Sequence, residues 1–341
     1  MRQLVSGAAM VMVLACGVAE EPTSEVATTR QSLDAVSGFG SNPGNLLMYR
    51  FVPPGLARGR PLVVLLHGCG ETATSFSSSS GFEAQATQRQ FALVAPQQQF
   101  INNVQTCFNW FDAANQQRDQ GELLSIKQMV DRMVADVGSD PQQVFVAGFS
   151  AGGAEAANLL ATAPDRFRAG AIAAGIPFKC TETAFGATAC LSGPSTTNAD
   201  GGMKTPSERA AQVRRAFPAF AGAYPRVAVW QGQSDPFVSP SNGVELMQQW
   251  TSVHGVDQTA DGTQPISSGG TRSFFRPAAG GDAVVELNEV PGLGHAWRSA
   301  WASDMTDFFG IRGAVDGGTG GGSAGGGSAG GGSAGGGSAG G

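Results

Sequence analysis

The pentapeptide Gly148-Phe149-Ser150-Ala151-Gly152 constrains this chain more than any other stretch. The apolar run Val144-Phe145-Val146-Ala147 precedes it, and an Ala-rich segment from Gly153 to Leu160 follows. The pattern reads as a buried strand, a sharp turn and a helix, with a serine at the apex. Glycines on both sides let the backbone bend tightly. The start of the helix offers unpaired N–H groups to a developing negative oxygen. The same G-x-S-x-G pattern recurs four times in the tail, beginning at Gly321, with no strand before it and no helix after it. Context, and not the pattern, singles out Ser150.

A serine at such a turn acts as a nucleophile when a base takes its proton, a carboxylate orients the base, and N–H donors hold the oxyanion. The chain has three histidines. His67 follows an apolar strand and lies upstream of the serine. His254 ends an amphipathic helix and is expected to face solvent. His295 sits in a Gly-rich loop after a late strand, where the base is expected. For the acid, Asp235 fits best because it follows the apolar run Val227 to Gln231 directly, with Asp282 as runner-up because it precedes a strand. The order Ser…Asp…His is that of α/β-hydrolases. The second oxyanion donor, beside the Ala151 N–H, is expected from His67-Gly68-Cys69-Gly70: the Cys69 N–H, with Gly70 as alternative.

The rest of the chain fits such a fold. Strands are expected at Asn45–Val52, Pro61–Leu66, Phe91–Ala95, Ala169–Ala174, Arg226–Gln231, Ser273–Phe275 and Ala283–Val290. Helices are expected near 74–90, 122–137, 242–254 and 299–309. Alternating strands and helices imply an α/β fold, a mainly parallel sheet covered on both faces. Charged residues make up 14% of the chain and the net charge is −6, with no basic cluster, which disfavours nucleic-acid binding. No C-x-x-C or H-x-x-x-H spacing occurs, so neither a metal nor a cofactor is expected.

Four segments are expected. Residues 1–16 read as a leader with a short apolar run that ends in Val13-Leu14-Ala15-Cys16. This is similar to the lipobox of bacterial lipoproteins, which would make Cys16 a lipidation site; the rival is ordinary cleavage after Ala19. Both imply export, with membrane attachment only through a lipid anchor. Residues 17–37 read as a polar tether, 38–312 as the catalytic domain, and 313–341 as a Gly/Ser/Ala repeat that buries no apolar surface. With Cys16 set apart, four cysteines remain, and sequence alone allows three pairings. Cys180 and Cys190 flank a Gly/Ala/Thr loop and make an easy local pair, which leaves Cys69 with Cys107.

With these motifs in hand, the chain resembles the poly(3-hydroxybutyrate) depolymerase family of esterases, whose relatives include feruloyl and acetylxylan esterases. The resemblance rests on Leu66-His67-Gly68-Cys69, Cys107-Phe108-Asn109-Trp110-Phe111, the Ser150 turn through Gly153, Trp230-Gln231-Gly232 with Asp235, and Gly294-His295-Ala296-Trp297. It implies a Ser150–His295–Asp235 triad, Cys69 in the oxyanion hole, and Trp297 lining a substrate groove. Trp110 is a second candidate for substrate binding. The substrate it implies is a short-chain polyhydroxyalkanoate or its oligomers, cleaved by a monomer. Plant-polysaccharide ester is the alternative. A surface binding protein on an inactive hydrolase fold is the non-enzymatic alternative, and a complete Ser/Asp/His set argues against it.

Overall fold

The computed structural model describes residues 33–193 and 204–313. The leader, Cys16, most of the tether and nearly all of the repeat tail lie outside the described residues.

Ten strands form one sheet: β1 (Asp34–Val36), β2 (Leu47–Phe51), β3 (Leu62–Leu66), β4 (Ala92–Gln97), β5 (Val144–Phe149), β6 (Ala169–Ala173), β7 (Arg226–Gly232), β8 (Gly262–Ile266), β9 (Gly270–Phe275) and β10 (Val285–Val290). Their spatial order is β1-β2-β4-β3-β5-β6-β7-β10-β9-β8. The six central strands, β4 to β10 in that order, run parallel. Antiparallel strands finish each side, β2 and β1 at one and β9 and β8 at the other. This is the expected α/β-hydrolase architecture. β3 and β5 are buried along their whole length, as strands covered on both faces must be.

The period-2 alternation of side chains sorts the core into two layers. Val63, Leu65, Phe145 and Trp230 point to one face, where α1 (Ala73–Ser80), α2 (Phe82–Arg89) and α8 (Trp301–Phe309) pack. Leu62, Val64, Leu66, Val146 and Val229 point to the other, which α3 (Gly121–Val137), α4 (Ala151–Thr162) and α7 (Ser241–His254) cover. In α3 the buried side chains Leu123, Ile126, Met129, Val130 and Met133 are those whose spacing marks the helix in the sequence.

Four local expectations need correction. The single helix over 74–90 is two helices, because Gly81 turns the chain with φ 87° and a Cβ there would lie 2.5 Å from the Ser299 carbonyl oxygen. The sheet begins at Asp34, inside the stretch read as tether, since Asp34–Val36 pairs with Met48–Arg50. The loop between Cys180 and Cys190 is largely helical, α5 (Ala184–Leu191), capped by the Thr183 side chain. His254 does not face solvent. Its ring is half-buried and hydrogen-bonds the Pro225 carbonyl at 3.0 Å, and burial lowers its pKa. One further helix, α6 (Pro206–Ala216), has a sequence signal that reading by apolar runs passes over: the capping box Thr205–Glu208 with proline at the first helical position.

Candidate active site

Apart from that of Asp282, every segment that carries a candidate triad or oxyanion residue leaves the carboxyl end of a parallel strand, the end at which open α/β sheets place ligands. β3 leads to His67–Glu71, β4 to the loop 98–111, β5 to Ser150, β7 to Asp235 and β10 to His295.

Ser150 has φ 55° and ψ −119°, a strained conformation for a residue with a side chain. The turn is held because its N–H donates to the Ala173 carbonyl at 2.9 Å. The glycines around it are steric necessities. A Cβ at Gly148 would lie 2.1 Å from the Gly152 carbonyl oxygen, and one at Gly152 would lie 2.3 Å from that of Leu66.

His295 Nε2 lies 2.9 Å from Ser150 Oγ, and its Nδ1 lies 2.7 Å from Asp235 Oδ2. An ionised carboxylate only accepts hydrogen bonds, so Nδ1 carries the proton and Nε2 is free to accept the serine proton. The Asp235 side chain is fully buried. Burial pushes its pKa up, but the bond from His295 and the N–H groups of Val238 and Phe237, each 2.9 Å from Oδ1, outweigh burial and hold it below the usual range. Phe149 and Phe237 flank the imidazole, with ring centroids 4.9 and 5.5 Å away. Asp282 is exposed and lies at the other end of the sheet, beside Arg226 at the start of β7.

Cys69 is bonded to Cys107, and Cys180 to Cys190. The first bridge ties the loop after β3 to the loop after β4. Two more links reinforce it. The Gly70 N–H donates to the Gln105 carbonyl at 2.9 Å, and the Gln98 N–H donates to His67 Nε2 at 3.1 Å. His67 therefore carries its proton on Nδ1, facing the Gly68 carbonyl, and burial lowers its pKa to about 4. Since the Gly70 N–H is already engaged, Cys69 is the better placed of the two oxyanion alternatives. A cavity of about 270 Å³ opens beside Ser150, walled by Cys69, Ala151, Trp110, Ile176 and Val238.

The two tryptophans differ. Trp110 walls this cavity and is 7% exposed. Trp297 packs in an aromatic cluster with Phe76, Phe149 and Trp301, and its indole N–H donates to the Ser80 carbonyl at 2.9 Å. It backs the ring that backs His295.

Three acidic residues near the site carry no motif in the sequence. Glu71 accepts the Gly68 N–H at 2.8 Å and so closes the oxyanion loop on itself. Its pKa is raised by burial, against the opposing effects of that bond and of His295. Glu122 accepts from the Gln98 side chain and from both the backbone and side chain of Asn109, which fixes the segment bearing Trp110. Burial pushes it up to about 7, against those donors. Glu155 is wholly buried beside it, and burial together with the Glu122 charge drives its pKa well up. Three donors aim at Glu122, whereas Glu155 Oε1 has no partner, so of the two it is Glu155 that burial and the neighbouring charge drive further toward the protonated form.

Residues 46–277 match the family described as Esterase PHB depolymerase. The chain belongs to this esterase family. It is 41% identical over 264 residues to poly(3-hydroxyalkanoate) depolymerase C of Paucimonas lemoignei, covering 77% of this chain and 61% of that protein. It is 34% identical over 283 residues to feruloyl esterase B of Talaromyces stipitatus, covering 83% of this chain and 76% of the relative. Among solved structures, the acetyl xylan esterase from Aspergillus awamori superposes with a TM-score of 0.70 at 25% identity, over 83% of this chain and all of that one. Proteins that differ in named substrate are thus all similar to this one chain, so likeness of the whole chain does not by itself specify the substrate.

Proposed function

We propose that the chain is an exported serine esterase that hydrolyses short-chain polyhydroxyalkanoate or its oligomers through an acyl-enzyme. Ser150 attacks the ester carbonyl, and His295 takes its proton and returns it to the leaving alcohol. Asp235 keeps the imidazole in the required tautomer and stabilises its cation. The Cys69 and Ala151 N–H groups receive the oxyanion. Water, activated by the same histidine, then releases the acid. The observation that carries this reading is the unbroken relay from Asp235 through His295 to Ser150, at 2.7 and 2.9 Å, beside a cavity. The choice of polyester draws on the likeness to the depolymerase of Paucimonas lemoignei. A second reading, a feruloyl or acetyl ester of plant polysaccharide, draws on the likenesses to the feruloyl and acetylxylan esterases. Export is supported by the two disulfides, which persist in oxidising compartments; lipidation at Cys16 is the finer form of that proposal.

The test is product release from a matched panel: soluble 3-hydroxybutyrate trimers, methyl ferulate and acetylated xylan. Preferred turnover of the trimers, lost in Ser150→Ala, is expected. Turnover confined to the ferulate or acetyl substrates would replace the polyester reading with the second one.

A further inference from the structure

A second cavity, of about 410 Å³, shares no lining residue with the one beside Ser150. It is formed by the segment just before α3, the segment after β6 and the end of α6. Its lining is almost wholly polar: four glutamines and three cations, Arg118, Lys179 and Arg215, with Ala216 as the one apolar residue and no Asp or Glu. Gln116 joins this cavity to the active site. Its side-chain amide donates to the Trp110 carbonyl at 2.9 Å and to the Thr181 carbonyl at 2.6 Å.

Two needs of this lining are unmet. The first is charge. Arg118 is held by Asp165 at 2.7 and 2.8 Å, and Lys179 pairs with Glu182. Arg215 has no carboxylate partner among the described residues, so one positive charge is left over. The second is a hydrogen-bond donor. The buried side-chain oxygens of Gln116 and Gln212 have no partner, although Gln116 is only 2% exposed. Buried acceptors are normally satisfied, so two unsatisfied ones in one lining call for a reason. Gln212 is also loosely held, since its Nε2 donates to the Lys179 carbonyl at 3.4 Å. A bond that long leaves its amide free to turn toward a donor.

We propose that this cavity binds a hydroxy acid, with the carboxylate on Arg215 and Lys179 and a hydroxyl donating to a glutamine oxygen. One surplus positive charge matches a monoanion better than phosphate or sulfate, whose second charge would go unanswered. The free acceptors need a donor, which a plain carboxylate lacks and a hydroxyl supplies. A lining with a single alanine gains little from an alkyl chain, which sets aside a fatty acid. This chemistry has two sources: a small hydroxy acid released by ester hydrolysis, or a uronic acid group of a polysaccharide. The site does not depend on which ester Ser150 cleaves.

The test is calorimetric titration of the whole chain with 3-hydroxybutyrate, glucuronate, butyrate and inorganic phosphate. One of the first two should bind about tenfold or more tighter than butyrate and phosphate. A preference for 3-hydroxybutyrate assigns the small released acid, and a preference for glucuronate assigns the polysaccharide group. Arg215→Glu should weaken that binding by about tenfold or more, whereas Arg215→Lys should keep it within about threefold. Gln212→Leu should bring the hydroxy acid to within about twofold of butyrate, because the acceptor for the hydroxyl is gone. Arg215 is exposed and Gln212 is far from the triad in the lining, so all three variants should turn over p-nitrophenyl butyrate within about twofold of the parent, a check that they fold. Binding that Arg215→Glu leaves undiminished lies elsewhere, in the catalytic cavity for example, and would overturn the site. Butyrate or phosphate bound as tightly as both hydroxy acids, or no binding by either hydroxy acid, would overturn it as well.

Discussion

At the scale of single residues, the proposed chemistry stands on three side chains that meet only in the fold. Ser150→Ala and His295→Ala should each lower kcat by about 10⁴-fold or more, because nucleophile and base act as one unit. Asp235→Asn should lower it severely, since an amide turned toward Nδ1 favours the wrong tautomer, whereas Asp282→Asn should leave kcat unchanged. Wild-type turnover in Asp235→Asn would remove it from the relay. These three were legible in the sequence because each has a local signal: a turn, a strand end, a Gly-rich loop. Glu71 and Glu122 were not. Their roles depend on which N–H groups the fold brings to them, and nothing around them in the sequence encodes that. For Glu71 the expected outcome is graded. Glu71→Gln keeps an acceptor for the Gly68 N–H and should hold kcat on p-nitrophenyl butyrate within about threefold. Glu71→Ala frees the oxyanion loop and should lower kcat about tenfold or more with little change in KM. Equal kinetics in the two variants would deny Glu71 a positioning role.

At the scale of elements, the site is a set of turns pinned to a sheet, and the pins differ in strength. Gly152 is one that cannot change. A Cβ there would meet the carbonyl oxygens of Leu66 and His67 at 2.3 and 2.5 Å, and these belong to β3 and the turn that ends it. Gly152→Ala should therefore lower unfolding free energy by about 3 kcal/mol in urea titrations. A Cβ at Gly294, beside His295, would meet nothing closer than 3.9 Å outside its chain neighbours, so Gly294→Ala should cost under about 1 kcal/mol. The Cys69–Cys107 bridge closes a separation of 38 residues, for which chain entropy alone gives about 4 kcal/mol. Changing both cysteines to serine should lower Tm and slow turnover without abolishing it, because the Cys69 N–H belongs to the backbone and survives. The central strands were legible because burial on both faces makes them continuously apolar. The edge strands β1 and β8 were not. Their residues are largely exposed, and only pairing with a neighbour makes them strands.

At the scale of the molecule, a pair of buried carboxyls beneath the Trp110 wall ties stability to pH, and the sign can be worked out. Glu155 keeps its proton in the folded state, whereas the unfolded chain releases it near pH 4.3. A group whose pKa rises on folding binds more protons folded than unfolded. Its contribution is therefore fully present below about pH 4.3 and declines as pH rises toward its folded value. Asp235 works in the opposite sense. Its lowered pKa contributes stability above its unfolded value, near pH 3.9, which is lost as pH falls further. Between pH 5 and 8 only the glutamate slope remains of the two. Glu155→Gln removes that slope. The variant keeps an acceptor for the Asn158 amide and leaves one buried N–H without a partner, a penalty that does not vary with pH. The Tm of Glu155→Gln relative to wild type should therefore climb steadily from pH 5 to pH 8. Differential scanning fluorimetry at four or five pH values reads this directly. A Tm difference that stays flat across the range would mean that Glu155 ionises in the folded chain as it does in the unfolded one, and that burial does not raise its pKa.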